Sequence, residues 1–102
     1  MRLHEIIDRI EDEDDDLCIV AKRPWHKNSE ALLVQLTEDY RIPADAHNQG
    51  YEYFLEVHVA LEEVLEGLLY KLTLEQRFEA VLFYAENDAY PEWFYTVRTN
   101  SP

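Results

Sequence analysis

The side chains able to do chemistry in this 102-residue chain are carboxylates, four histidines and one cysteine. The densest group is Glu11-Asp12-Glu13-Asp14-Asp15-Asp16. A calcium loop of the EF-hand type needs oxygens at alternate positions, glycine at the sixth and glutamate at the twelfth. Counted from Asp12, those places hold Leu17 and Arg23, so the run reads as a solvated acidic turn. His4, His26, His47 and His58 do not stand at H-x-x-x-H or H-E-x-x-H spacing. With a single cysteine, zinc would need ligands gathered from distant residues. No metal and no cofactor is expected, and His58, in an apolar context, reads as a packed histidine. Cys18 stands between Leu17 and Ile19, where a small core residue fits better than a nucleophile. Ser29 and Ser101 lack a nucleophile-elbow context. Gly50 and Gly67 are the only glycines, which excludes a phosphate-cradling loop.

A carboxylate pair for acid–base work could be drawn at Glu86 and Asp88, near Phe83, Tyr84 and Tyr90, where aromatic cover would raise a carboxylate pKa. With 22 acids some pair always looks suitable, and a polar helix end explains the same residues. The expectation is therefore a protein without enzymatic activity.

Two features fit a binding surface. Glu62, Glu63 and Glu66 lie opposite an apolar stripe. Glu62 and Glu66, as like charges at i, i+4, would weaken a helix by ~0.2–0.5 kcal/mol. Secondly, Phe83, Tyr84, Tyr90, Trp93, Phe94 and Tyr95 place six of the thirteen aromatics within thirteen residues. Aromatics beside carboxylates make good anchors for a basic protein partner. A C-terminal segment packed back on the sheet would explain the same aromatics. The expected contacts are Glu62, Glu63, Glu66, Glu86, Asp88, Trp93 and Tyr95.

The elements that must position these residues follow from periodicity. Leu3, Ile6, Ile7 and Ile10 mark one face of a short helix, which the acidic run ends. Leu17–Lys22 and Ala31–Leu36 are apolar on both alternating faces and read as an antiparallel strand pair covered on both sides. Arg23-Pro24-Trp25-His26-Lys27-Asn28-Ser29 joins them; the basic segment Lys22-Arg23-Pro24-Trp25-His26-Lys27 is expected to pair with the protein's own acids. Thr37–Gly50 is polar, with a short helical turn near Ala44–Asn48. The aromatic and β-branched content of Tyr51–Val57 suits a third strand, while Phe54, Val57, Leu61, Val64, Leu65 and Leu68 also fit a helical stripe; the favoured reading is a strand to about Val57, then a helix from about Val59 to Tyr70, within which Gly67 costs roughly 1 kcal/mol relative to alanine. Thr73-Leu74-Glu75-Gln76 has capping-box form and opens the last helix, which Asn87, Asp88 and Pro91 close. The order α-β-β-β-α-α describes a single α+β domain over 1–102, with a small, mostly antiparallel sheet of about three strands packed by about three helices.

Gln49–Leu55 followed by Val59–Leu68, Pro24-Trp25, and the ending Tyr84-Ala85-Glu86-Asn87-Asp88-Ala89-Tyr90 resemble a small, functionally uncharacterised bacterial domain family. The resemblance implies a helix, an acidic turn, strands around Pro-Trp, and a closing helix that ends in Asn-Asp-Ala-aromatic. It supplies no catalytic residues, and residues 91–102 extend beyond the closing motif. In size and acidity the chain also resembles the immunity proteins of bacterial toxin–immunity systems.

Net charge is −13, with residues 1–16 at −6, 17–50 at 0 and 51–102 at −7. Such a field repels nucleic acid and anionic membranes. The apolar runs are too short to span a bilayer, which takes ~20 residues. The N-terminus has no secretory h-region, and the lone cysteine suits a reducing cytoplasm. The expected function is inhibition of a basic toxin domain, such as a nuclease, by a tight complex. The alternatives are a nucleic-acid mimic and a self-associating structural domain, with the chain a monomer or weak homodimer.

Overall fold

In the computed structural model, which describes residues 1–68 and 70–99 with side chains as far as Val97, Leu3, Ile6 and Ile7 are fully buried along one face of α1 (Leu3–Asp8). A 3-10 turn, Ile10–Asp12, buries Ile10 and then releases the acidic run to solvent. Three strands follow: β1 (Cys18–Lys22), β2 (Ala31–Val34) and β3 (Tyr51–Glu56). They form one antiparallel sheet in the order β2-β1-β3. The central place of β1 explains why Cys18 through Ala21 are all buried. Ile19 and Ala21 join the helical side, and Cys18 and Val20 the opposite side.

The pairing of β1 with β3 slips between Ile19, opposite Leu55, and Val20, opposite Tyr53. Phe54 is the extra residue of this bulge. Phe54 and Leu55 consequently enter the same core, which simple alternation forbids. Trp25 meets Phe54 edge-on at 4.9 Å, and its indole N–H donates to the Ala21 carbonyl.

The other sheet face is covered by the 35–50 connection, where Leu36, Ile42 and Ala46 pack on Cys18, Val20 and Tyr51. Its helical turn is α2 (Ala44–Asn48), at the expected place. Gly50, at φ 93°, makes the reversal into β3.

One expectation is corrected. The helix expected over 59–70 is shorter and differently wound. It comprises α3 (Val57–Val59) and a π turn, Ala60–Val64, closed by the Leu65 N–H on the Ala60 carbonyl at 2.9 Å. Gly67 takes φ 75° in the turns that follow, a conformation no right-handed helix contains. Those turns bury Leu65, Leu68 and Leu72. Glu62 and Glu66 therefore do not share a helix. After Pro91, beyond the expected elements, the chain forms α5 (Glu92–Thr99). Helical spacing lets Phe94 be fully buried while Tyr95 stays about half exposed.

The last expected helix is α4 (Leu74–Asn87), and its capping box is made. Gln76 N–H donates to Thr73 Oγ1 at 3.1 Å, and Thr73 N–H to Gln76 Oε1 at 3.0 Å. Arg77, one residue on, is buried and joins α4 to α1. Its Nη1 donates to Glu11 Oε2 at 2.9 Å and to the Asp8 carbonyl at 3.2 Å. Ser101 and the chain end beyond 99 lie outside the described residues.

Candidate functional site

The C-terminal end of α4 is built for a sharp turn. Asn87 donates to the Phe83 carbonyl, and Asp88 N–H reaches the Tyr84 carbonyl at 2.8 Å. Asp88 has φ 54° and ψ 38°, a left-handed cap that Asp tolerates better than most residues. The turn delivers Tyr90 to the centre of the C-terminal aromatics. Its ring stacks on Phe94 at 4.7 Å and 8°, and lies 5.4 Å from Tyr84 and 6.0 Å from Tyr95. Its hydroxyl donates to the Glu63 carbonyl at 2.7 Å, satisfying a carbonyl near the end of the π turn. One side chain thus ties the π turn, the α4 end and α5 together.

Around this hub the structure collects Glu63, Asp88 and Tyr95, three of the seven expected contacts. All three are exposed. The Tyr84 hydroxyl is held above the ordinary tyrosine range, first by desolvation, then by the charges of Asp88, Tyr90 and Glu63. That ordering places two carboxylates within electrostatic reach of one tyrosine. Glu62 and Glu66 are exposed beside the hub; Glu62 lies 4.0 Å from His58. Glu86 is exposed on the last turn of α4. Trp93 is differently used: it is partly buried, and its indole N–H donates to Glu79 Oε1 at 2.9 Å. Among the described residues, the ion pairs include none of these seven except Glu62.

Glu86 and Asp88 do not form the covered carboxylate pair that acid–base chemistry needs, since both stand on an exposed helix end. His58 is about half exposed, between Glu56 at 3.7 Å and Glu62, rather than packed in the core. Cys18 is fully buried, and burial pushes its thiol up to about 12, with Glu56 adding to the effect. The basic loop pairs with the protein's own acids as expected. Lys22 meets Glu30 at 3.0 Å and Arg23 meets Glu52 at 3.7 Å, with the Arg23 guanidinium over Trp25. The carboxylates of Asp14, Asp15 and Asp16 come within 4.8 Å of one another on an exposed turn, where Asp16 N–H donates to Asp14 Oδ1.

Sequence reasoning missed the role of Tyr90, whose contact with Glu63 spans 27 positions and has no local signal. It also missed a cleft of ≈ 510 Å³ in which His4 Nδ1 lies 3.3 Å from Asp8, beside Lys27 and Phe78. The His4–Asp8 pair is legible as an i, i+4 spacing on α1, whereas Lys27 arrives through the hairpin loop.

Fold and site together define a small α+β domain with a carboxylate–tyrosine face. The chain belongs to the family described as a domain of unknown function (DUF7716), whose model matches residues 1–93. The match covers the hub turn and stops inside α5, after Trp93. No curated protein and no solved structure matches the chain. Among the described residues, no helix is long and apolar enough to cross a membrane.

Proposed function

We propose that this chain is a non-enzymatic binding protein whose acidic, tyrosine-bearing face takes a basic protein domain. The reading follows the immunity pattern, in which a small protein neutralises a cognate toxin domain such as a nuclease. The observation that carries it is the hub at Tyr90. A stack of half-buried Tyr90 on buried Phe94, with the Tyr90 hydroxyl on the Glu63 carbonyl, ties together the π turn, the α4 end and α5, and leaves Glu63, Asp88 and Tyr95 facing solvent from it. A backbone already held in place costs less ordering entropy on binding than a mobile one. A net charge of −13 adds long-range attraction for a cationic partner. A free, buried Cys18 is compatible with an encounter in a reducing cytoplasm.

The test is capture of partners from host lysate by the tagged full chain, wild type against the E62K/E63K/E66K and Y95A variants, at low and moderate salt. One basic protein retained at moderate salt by wild type and lost by the variants supports the reading. A broad set of basic proteins that all wash off with salt, or retention unchanged in the variants, overturns it. Heparin added to the wash separates the two inhibitory modes. Loss of the partner to heparin indicates nucleic-acid mimicry, and persistence indicates a shaped interface.

A further inference from the structure

A cavity of ≈ 720 Å³ that shares no lining residue with the Tyr90 hub lies on the sheet face covered by α2. It is lined by Thr37, Asp39, Tyr40, Arg41, His47 and Tyr53, together with Ile42 and Ala44. Three observations set it apart from an ordinary surface groove. First, Tyr40 has φ 60° and is 81% exposed. A bulky residue at positive φ carries strain, and no burial of the ring offsets it here. Secondly, the turn that holds it is fixed. Thr37 N–H donates to the Arg41 carbonyl at 2.9 Å, Tyr40 N–H to the Thr37 carbonyl at 2.9 Å, and Arg41 N–H to Thr37 Oγ1 at 3.2 Å. Thirdly, in a chain with 22 acids against nine bases, the Arg41 guanidinium and His47 imidazole make no hydrogen bond or ion pair among the described residues.

Tyr53, which also lines the cavity, is 44% exposed, with its hydroxyl donating to Glu56 at 3.3 Å. Neither Tyr40 nor Tyr53 meets another ring among the described residues, and both rings are exposed to solvent. The cavity therefore offers two aromatic surfaces, two groups that bind anions, and a carboxylate, Asp39, that accepts from hydroxyl or amine donors. We propose that this groove is a binding site for a mononucleotide. The base lies against Tyr40 and Tyr53, the phosphate takes Arg41 and His47, and Asp39 takes a sugar hydroxyl or exocyclic amine. The volume falls within the range usual for small-ligand sites. A free nucleotide fits better than a strand, because a polymer's further phosphates would meet the molecule's negative field.

The test is titration of the ¹⁵N-labelled full chain with AMP, adenosine, inorganic phosphate and a short single-stranded oligoadenylate, followed by amide shifts. Saturable shifts centred on residues 37–47 and 53 are expected with AMP. Adenosine and phosphate alone should each bind at least about tenfold more weakly, and R41Q should lose a similar factor, roughly one good charge-assisted contact. Y40G relieves the backbone strain, so it remains folded and should still lose affinity. Absence of saturable AMP shifts at concentrations on the order of millimolar overturns the proposal. Equal binding of adenosine, equal binding of phosphate, undiminished binding by R41Q, or tighter binding of the oligonucleotide does so as well. The groove shares no lining residue with Glu63 and Tyr95, so its failure leaves the protein-binding face standing, and the converse holds.

Discussion

Single residues carry the clearest physical statements. Cys18 is fully buried in the central strand, and its thiol is pushed up to about 12. A raised folded-state value means that the native state holds its proton more tightly than the unfolded chain. Its contribution to stability is complete below the unfolded thiol value, about 8.5, and is lost as pH rises towards the folded one. The urea midpoint of wild type should therefore fall more steeply above that pH than the midpoint of Cys18→Ala; parallel curves would contradict the assignment. Tyr40 gives an opposite kind of prediction. Its ring is almost wholly in solvent and its φ is 60°, so Tyr40→Gly sheds strain and little packing. Strain of about 1–2 kcal/mol, set against the extra unfolded-state entropy of glycine, leaves a net gain of about 0.5–1 kcal/mol, readable in chemical denaturation. Neither effect could be foreseen in full. The burial of Cys18 was legible from Leu17 and Ile19 around it. The φ of Tyr40 was not, because its turn is set by Thr37 and Arg41 closing on each other.

At the scale of elements, what was legible is what the chain decides within a few residues. Thr73 and Gln76 form the expected capping box, and the polar turn at Ala44–Asn48 is helical. Replacing Thr73 by alanine removes a bond to an otherwise unpaired N–H, and should cost about 1 kcal/mol by urea unfolding with an unchanged m-value. An effect near zero would mean that α4 is held by its packing alone. What was illegible depends on distant parts. The helix after β3 was expected to reach Tyr70, and Gly67 was priced as a tolerated mid-helix residue. In fact its positive φ belongs to the turns that bury Leu65, Leu68 and Leu72 against the core. The bulge at Phe54 escaped for a similar reason. Strict alternation would send Phe54 and Leu55 to opposite faces, and only pairing against Ile19 and Val20 puts both in one core. The residues after Pro91 carry no element in the expected order, and the sorting of Trp93, Phe94 and Tyr95 onto a helix whose buried side meets Tyr90 is set by tertiary packing. The seven expected contacts were chosen by residue type. The partial gathering of three of them round Tyr90, and the diversion of Trp93 to Glu79, are tertiary facts.

For the molecule as a whole, charge and shape have to be weighed together. A net charge of −13 alone would attract any cation weakly and without selection. The hub at Tyr90 adds what charge lacks: carboxylates and a tyrosine held on one backbone framework joining the π turn, α4 and α5. Electrostatic steering acts on association, whereas a rigid aromatic anchor acts on dissociation. The two contributions can therefore be separated by kinetics. The most direct measurement is stopped-flow and dissociation kinetics of the chain with the partner it retains from host lysate, across a range of salt. The account predicts that association slows steeply with salt in wild type and is slower and flatter in E62K/E63K/E66K, while Y95A chiefly speeds dissociation. Association and dissociation rates unchanged in both variants, or no partner retained at moderate salt, would contradict it.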